Sequence, residues 1–189
     1  MKIIKVLLLL TGLSISSMGF GSDLMTAVCN RDIPKLKKLI AKGSDVNKPD
    51  DKQGTPLFIA SAFGHLDVVK LLIDNGADIN QPAKGGATPL LIASQNGHKD
   101  VVEVLLGAKD PKIDQPDDKG ATPLFMASQQ GYAGVVELLL KKGAKVNKAR
   151  TDNGVTPLWV ASYNDHEAVV KMLINNKADI NQPAKGGET

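Results

Sequence analysis

Cysteine, aromatic residues and long apolar runs are all scarce in this chain, and each scarcity limits what it can be. A single cysteine, Cys29, stands among 189 residues, so no internal disulfide staples the fold. A lipoprotein signal would want its cysteine directly after the cleavage point, and Cys29 lies several residues beyond it. Aromatics make up 4% beside 42% apolar and 23% charged residues, the composition of an ordinary soluble chain of one domain, with no sign of disorder. The longest mostly apolar run, residues 6–15, falls well short of the roughly twenty residues that span a bilayer. It follows a basic start, Met1-Lys2-Ile3-Ile4-Lys5, and precedes small and polar residues, Ser16-Ser17-Met18-Gly19-Phe20-Gly21. That order is the layout of a secretory signal peptide over residues 1–21, cleaved near Gly19 or Gly21. An exported protein, periplasmic or secreted, is therefore expected, with no stable membrane insertion after cleavage. Removing Lys2 and Lys5 leaves 21 basic against 20 acidic residues, a net +1. The overall pI of 8.9 is then no electrostatic footprint for nucleic acid.

What the chain does have is repetition. The stretch ADINQPAKGG occurs at residues 77–86 and again, letter for letter, at residues 178–187. Threonine-proline-leucine recurs at Thr55, Thr88, Thr122 and Thr156, spaced 33, 34 and 34 residues apart. The copies read TPLFIASAFGH, TPLLIASQNGH, TPLFMASQQGY and TPLWVASYNDH, each followed by an apolar helix such as VVKLLI or VVELLL and an ending like GADIN. This period and phrase resemble the ankyrin-repeat family over about residues 22–189. The resemblance implies an all-α solenoid of stacked helix-turn-helix units with hairpin-like tips. The units fall at about 22–54, 55–87, 88–121, 122–155 and 156–188, with a sixth apparently truncated at Thr189.

The residues support the resemblance physically. Thr55 suits a helix N-cap, and Pro56 is tolerated in the first turn because the N–H it lacks would be unpaired there. Leu57, Ala60 and Ser61 are expected to face inward, and Gly64 to break the helix before His65. Val68, Val69, Leu71, Leu72 and Ile73 are apolar on more than one side, as a helix with stacked neighbours must be. Gly76 is expected to end that helix in a left-handed turn. In the first unit, Lys35 and Lys38 take the places of Val68 and Leu71 while Leu36, Leu39 and Ile40 stay apolar, the pattern of a terminal cap. The last unit has no such polar side: Val169, Val170, Met172, Leu173 and Ile174 match an internal helix. This end therefore offers a surface for a partner or for self-association.

Several positions depart from the family pattern. Its usual histidine after Thr-Pro-Leu is replaced by Phe58, Leu91, Phe125 and Trp159, expected to form inter-repeat core. Its second alanine becomes Ser61, Ser94, Ser128 and Ser162. In the third unit GAKDPKID adds a residue with Pro111, which predicts an early helix stop, and the fourth adds one in its tip. Asp165 and Lys177 stand where glycines are expected and predict local strain or a looser turn.

Catalytic constellations are not evident. His65, His98 and His166, with Tyr132 in the same place, lie a repeat apart, too far to share a zinc ion at about 2 Å from each ligand. His166-Glu167 is not followed by a histidine at Val170, so no zinc-protease motif forms. No G-x-x-x-x-G-K-[ST] or G-x-S-x-G sequence occurs. Asp50-Asp51 and Asp117-Asp118 lack the alternate spacing of a calcium loop and suit turns. Cys29 has no histidine near it in the repeat frame and suits a buried thiol. No enzyme activity, cofactor or metal is therefore expected.

The family resemblance implies recognition of a partner protein on a concave surface built from first helices and tips. Carried over by position, the first-helix candidates are Ala62, Phe63, Gln95, Asn96, Gln129, Gln130, Tyr163 and Asn164. The tip candidates are Lys52, Gln53, Lys84, Ala87, Asp118, Lys119, Ala121, Asn153 and Val155. Amide-rich positions flanked by Phe63 and Tyr163 suit a protein surface, with the aromatics as anchors. Two other readings compete: the targeting arm of a longer protein, an enzyme among the options, truncated at Thr189, and a structural array that self-associates through its last repeat.

Overall fold

A computed structural model describes residues 23–50 and 54–184. The expected leader at residues 1–21, the tip residues Asp51, Lys52 and Gln53, and residues 185–189 lie outside them. Ten helices and no strand occur among the described residues: α1 (Asp23–Cys29), α2 (Ile33–Ala41), α3 (Pro56–Phe63), α4 (Leu66–Asp74), α5 (Pro89–Asn96), α6 (Lys99–Gly107), α7 (Pro123–Gln130), α8 (Ala133–Lys141), α9 (Pro157–Tyr163) and α10 (Glu167–Asn175). They pair in sequence. The first helices α1, α3, α5, α7 and α9 pack successively in one layer, and the second helices α4, α6, α8 and α10 in another.

Each first helix from α3 onward starts the same way. The hydroxyls of Thr55, Thr88, Thr122 and Thr156 accept the N–H of the residue three positions on at 3.1 to 3.2 Å, and a proline fills the first helical position. One orphan donor is thereby bonded and another removed. Close approach between layers depends on small residues. Ala60, Ser61, Ala93, Ser94, Ala127 and Ser128 are completely enclosed. Three of them carry a cost, because the hydroxyls of Ser61, Ser94 and Ser128 have no hydrogen-bond partner. Ser162, with no described helix beyond it, is exposed.

Packing of the second helices follows their double-sided pattern: Val68, Val69 and Leu72 are fully buried, as are Val102, Val136, Leu139 and Leu173. In α2 the polar side is solvated at Lys37 and Lys38, while Leu36 is buried. The expected inter-repeat row is enclosed at Leu91 and Phe125 but only half-buried at Phe58 and Trp159.

The expected early stop in the third repeat does not occur. Helix α6 has nine residues, the same as α4, α8 and α10. The inserted residue is absorbed afterwards, where Ala108 leaves the helix in an extended conformation (ψ 173°) and Asp110 takes the left-handed turn at φ 54°. The fourth tip does carry its extra residue: Arg150 N–H bonds Val155 O, against Asp117 N–H to Ala121 O in the tip before it. Asp165 and Lys177 sit at φ 57° and 66°, left-handed positions where L residues are strained. Arg31 takes that conformation too, at φ 54°.

Candidate functional site

Two sets of polar bonds make the stack rigid, and both recur at the repeat period. The ring Nε2 of His65, His98 and His166 lies 3.3, 3.0 and 3.1 Å from the carbonyls of Cys29, Ala62 and Gln129, one repeat back. The Nε2–H tautomer donates to each first helix at its C-terminal end, where carbonyls lack helical partners. A glycine makes room for the ring. A Cβ at Gly64 would lie 2.5 Å from His98, and one at Gly131 2.5 Å from His166. The three histidines thus stitch neighbouring repeats individually, each on its own carbonyl.

The second set links the tips. Asn47 accepts the N–H of Asp78 at 2.7 Å and donates to Gly76 O at 3.0 Å. Asn80 repeats this with Lys112 N–H at 2.9 Å and Asp110 O at 3.0 Å, and Asn147 with Asp179 N–H at 2.9 Å and Lys177 O at 3.4 Å. Asp114 holds the corresponding place and accepts Lys145 N–H at 3.0 Å. A carboxylate has no N–H to donate, so the second bond of this rung is absent. Sequence reasoning missed this ladder. Its signal was the Asn that closes SDVN, ADIN and AKVN, together with the aspartate of PKID.

Neighbouring tips also bond directly. Asp118 N–H reaches Gly85 O at 3.0 Å and Thr151 N–H reaches Lys119 O at 3.1 Å. A Cβ at Gly86 would fall 2.8 Å from Asp118 N, so glycine there permits the approach. Arg31 bridges the first two repeats, its Nε donating to Asp67 at 2.8 and 3.0 Å. Burial pushes the Asp67 carboxyl up, but the Arg31 bond and charge and the Val68 N–H outweigh it and hold it below the usual carboxylate range.

On this frame the first-helix candidates occupy the C-terminal ends of α3, α5, α7 and α9. Gln130, Tyr163 and Asn164 are exposed, and Ala62, Phe63, Gln95, Asn96 and Gln129 are half-buried. Phe63 stacks on His65 with ring centroids 5.5 Å apart. Asn96 is partly structural, donating its amide to Ala62 O at 2.9 Å. Of the tip candidates, Lys84, Asp118, Lys119 and Asn153 are exposed and Ala87 is half-buried. Lys52 and Gln53 lie outside the described residues. Ala121 is a correction: it is completely enclosed against Phe125, Val155 and Val160 and presents no surface to a partner. Val155, 8% exposed, is corrected from tip contact to floor residue.

The structure brings five candidates, Gln129, Asn153, Val155, Tyr163 and Asn164, around one open cavity of about 380 Å³ between α7, α9 and the fourth tip. Trp159 and Tyr163 stack along one wall, with centroids 5.0 Å apart and planes 10° apart. Arg150 lies over the Phe125 ring at 5.4 Å and pairs with Asp152. Neither Arg150 nor Trp159 was among the candidates: the first lies in the lengthened tip, and the second had been assigned to the core.

The repeat-family model for ankyrin repeats (3 copies) matches residues 24–117 and 110–184. The chain belongs to the ankyrin-repeat family. Ankyrin repeats are in general protein–protein interaction modules, typically non-enzymatic, and the fold described above is the all-α repeat stack of that family. A search of curated proteins found no match. Among the described residues, no helix is long and apolar enough to cross a membrane.

Proposed function

We propose that this ankyrin-repeat protein is an exported, non-enzymatic binding module that engages a partner protein through the face formed by the ends of its first helices and its tips. The observation that carries the reading is the row of amide and aromatic side chains at the C-terminal ends of the first helices: Gln95, Gln129 and Tyr163 at one matching position on α5, α7 and α9, where α3 has Ala62, and Phe63, Asn96, Gln130 and Asn164 at the next. The scaffold beneath them is bonded at every junction. Rigid display of amphipathic side chains lowers the ordering cost of association. Aromatic and amide groups suit a protein surface better than a charged ligand. Export is supported by the order of residues 1–21 alone, and mass spectrometry of the protein recovered from outside the cytoplasm tests it through loss of residues 1–19 or 1–21. The binding reading predicts one stoichiometric partner on co-purification. Its recovery should fall at least tenfold in a Gln95→Arg, Gln129→Arg variant and stay unchanged in Glu103→Arg, which alters an exposed residue on α6. Equal recovery from all three proteins would reject this face.

A second reading, self-association, is favoured by one observation. Tyr163, Ile174 and Ile180 are 74%, 47% and 63% exposed and line a common cavity of about 450 Å³ on the last repeat. Association through it predicts a concentration-dependent mass by sedimentation that Ile174→Asp, Ile180→Asp abolishes. A constant monomer mass would reject it.

A further inference from the structure

We propose that the cavity between α7, α9 and the fourth tip is a subsite for one uncharged aromatic residue of an extended peptide segment. The inference rests on the binding reading above and adds the chemistry of what is bound. Its floor is apolar, formed by Phe125, Val155 and Val160, which belong to a small core of their own beneath the tips. One wall is the Trp159–Tyr163 stack, and Tyr163 at 74% exposure leaves most of its ring open. A ring entering here gains offset or edge-to-face contact with that wall beyond simple burial. The rim is neutral and amide-bearing. Asn164 donates to Val160 O at 2.8 Å and keeps its carbonyl oxygen as an acceptor. Asn153 accepts Val155 N–H at 3.1 Å and keeps its amino group as a donor. An acceptor and a donor flanking an apolar floor match the N–H and C=O on either side of a peptide side chain.

Charge decides against an acidic ligand. Arg150 is the one cation lining the cavity among the described residues. Its guanidinium is already engaged by the Asp152 carboxylate, with Nε to Oδ1 at 3.1 Å, and its side chain is 18% exposed. Size limits the occupant as well. At about 380 Å³ the cavity is near the lower end of ligand pockets, roughly 300 Å³, enough for a side chain with its flanking peptide groups.

Trp159 is the chain's single tryptophan and lies in the wall, so its fluorescence reports on the site. The test is titration of the full chain with N-acetyl-phenylalaninamide, against N-acetyl-aspartate amide as the charged counterpart. A saturable change in Trp159 emission is expected with the first probe, with a dissociation constant on the order of millimolar, and none with the second. Gln129→Arg, at the rim, should weaken binding at least tenfold, and Ile180→Asp, which lies in the end cavity on the other side of the shared Trp159–Tyr163 wall and not in the subsite, should leave it unchanged; circular dichroism confirms that both variants fold. No saturable change, tighter binding of the acidic probe, or loss in Ile180→Asp rather than Gln129→Arg each overturns the subsite. Such a result leaves the wider binding face standing if partner contact persists at Gln95. If contact is lost there too, the binding reading itself falls.

Discussion

Lys177 and Cys29 show how single residues depart from the repeat and what that costs. Lys177 occupies a left-handed turn at φ 66° that glycine fills at Gly76 and Gly143. A Cβ at those two glycines would meet nothing within 4 Å, so the penalty at Lys177 is backbone strain rather than crowding. Lys177→Gly should therefore stabilise the fold by about 1 kcal/mol, read as a shift in the urea midpoint; an unchanged or lowered midpoint would contradict it. Cys29 is 3% exposed, and burial, followed by the charge of Asp50, pushes its thiol up to about 11. A raised thiol pKa favours the fold most below the ordinary value of 9.0, and this contribution is lost as pH rises towards 11. Cys29 should accordingly resist thiol reagents at pH 7 in the native protein and react at once in denaturant. Rapid native labelling would show that α1 opens. Both residues were legible in part. The missing glycine was visible because its neighbours in the repeat keep theirs, and the buried thiol from its place on the first helix, although the expectation that no histidine lies near it fails: the His65 ring sits 3.3 Å from the Cys29 carbonyl. Arg31 was not legible, since the first unit has no Thr-Pro-Leu to anchor the comparison.

At the scale of elements, the helices were readable because threonine, proline and glycine at fixed offsets each have a local physical role. What joins one element to the next was less readable. The Asn47, Asn80 and Asn147 ladder acts across about thirty residues, while an asparagine before a tip looks locally like any turn former. The early stop expected for α6 failed for a related reason. A proline four residues past a helix limits the loop, and the extended Ala108 and left-handed Asp110 absorb the insertion there. Asp114 is the rung where the ladder is incomplete. Asp114→Asn should restore a donor towards Gly143 O, as Asn47 has towards Gly76 O, and raise stability by about 0.5–1.5 kcal/mol. Thermal or urea unfolding measures this. A loss of stability would mean that the charge of Asp114 matters more, for example through the Lys148 side chain that bonds its carbonyl at 2.8 Å.

Across the whole molecule, stability of a repeat stack approximates a sum of unit and junction contributions. The bonds at each junction therefore also hold the ends of the first helices, the proposed binding row, in place. That those side chains lie at the ends of the first helices was legible from the repeat frame. The gathering of Gln129, Asn153, Tyr163 and Asn164 around one cavity was not, because it depends on how the lengthened fourth tip folds over α7 and α9. Ala121 was misplaced for the converse reason: a small residue in a tip looks exposed until a valine and a phenylalanine close over it. The central claim is that partners contact the first-helix and tip face, and site-specific photo-crosslinking tests it most directly. A photoreactive residue placed in turn at Gln95, Gln129, Lys70 and Glu103 would be activated in the native cellular fraction. The account predicts one discrete adduct from Gln95 and Gln129 and none from Lys70 or Glu103, which are exposed on α4 and α6. Adducts from the second-helix positions, with none from the glutamines, would contradict it.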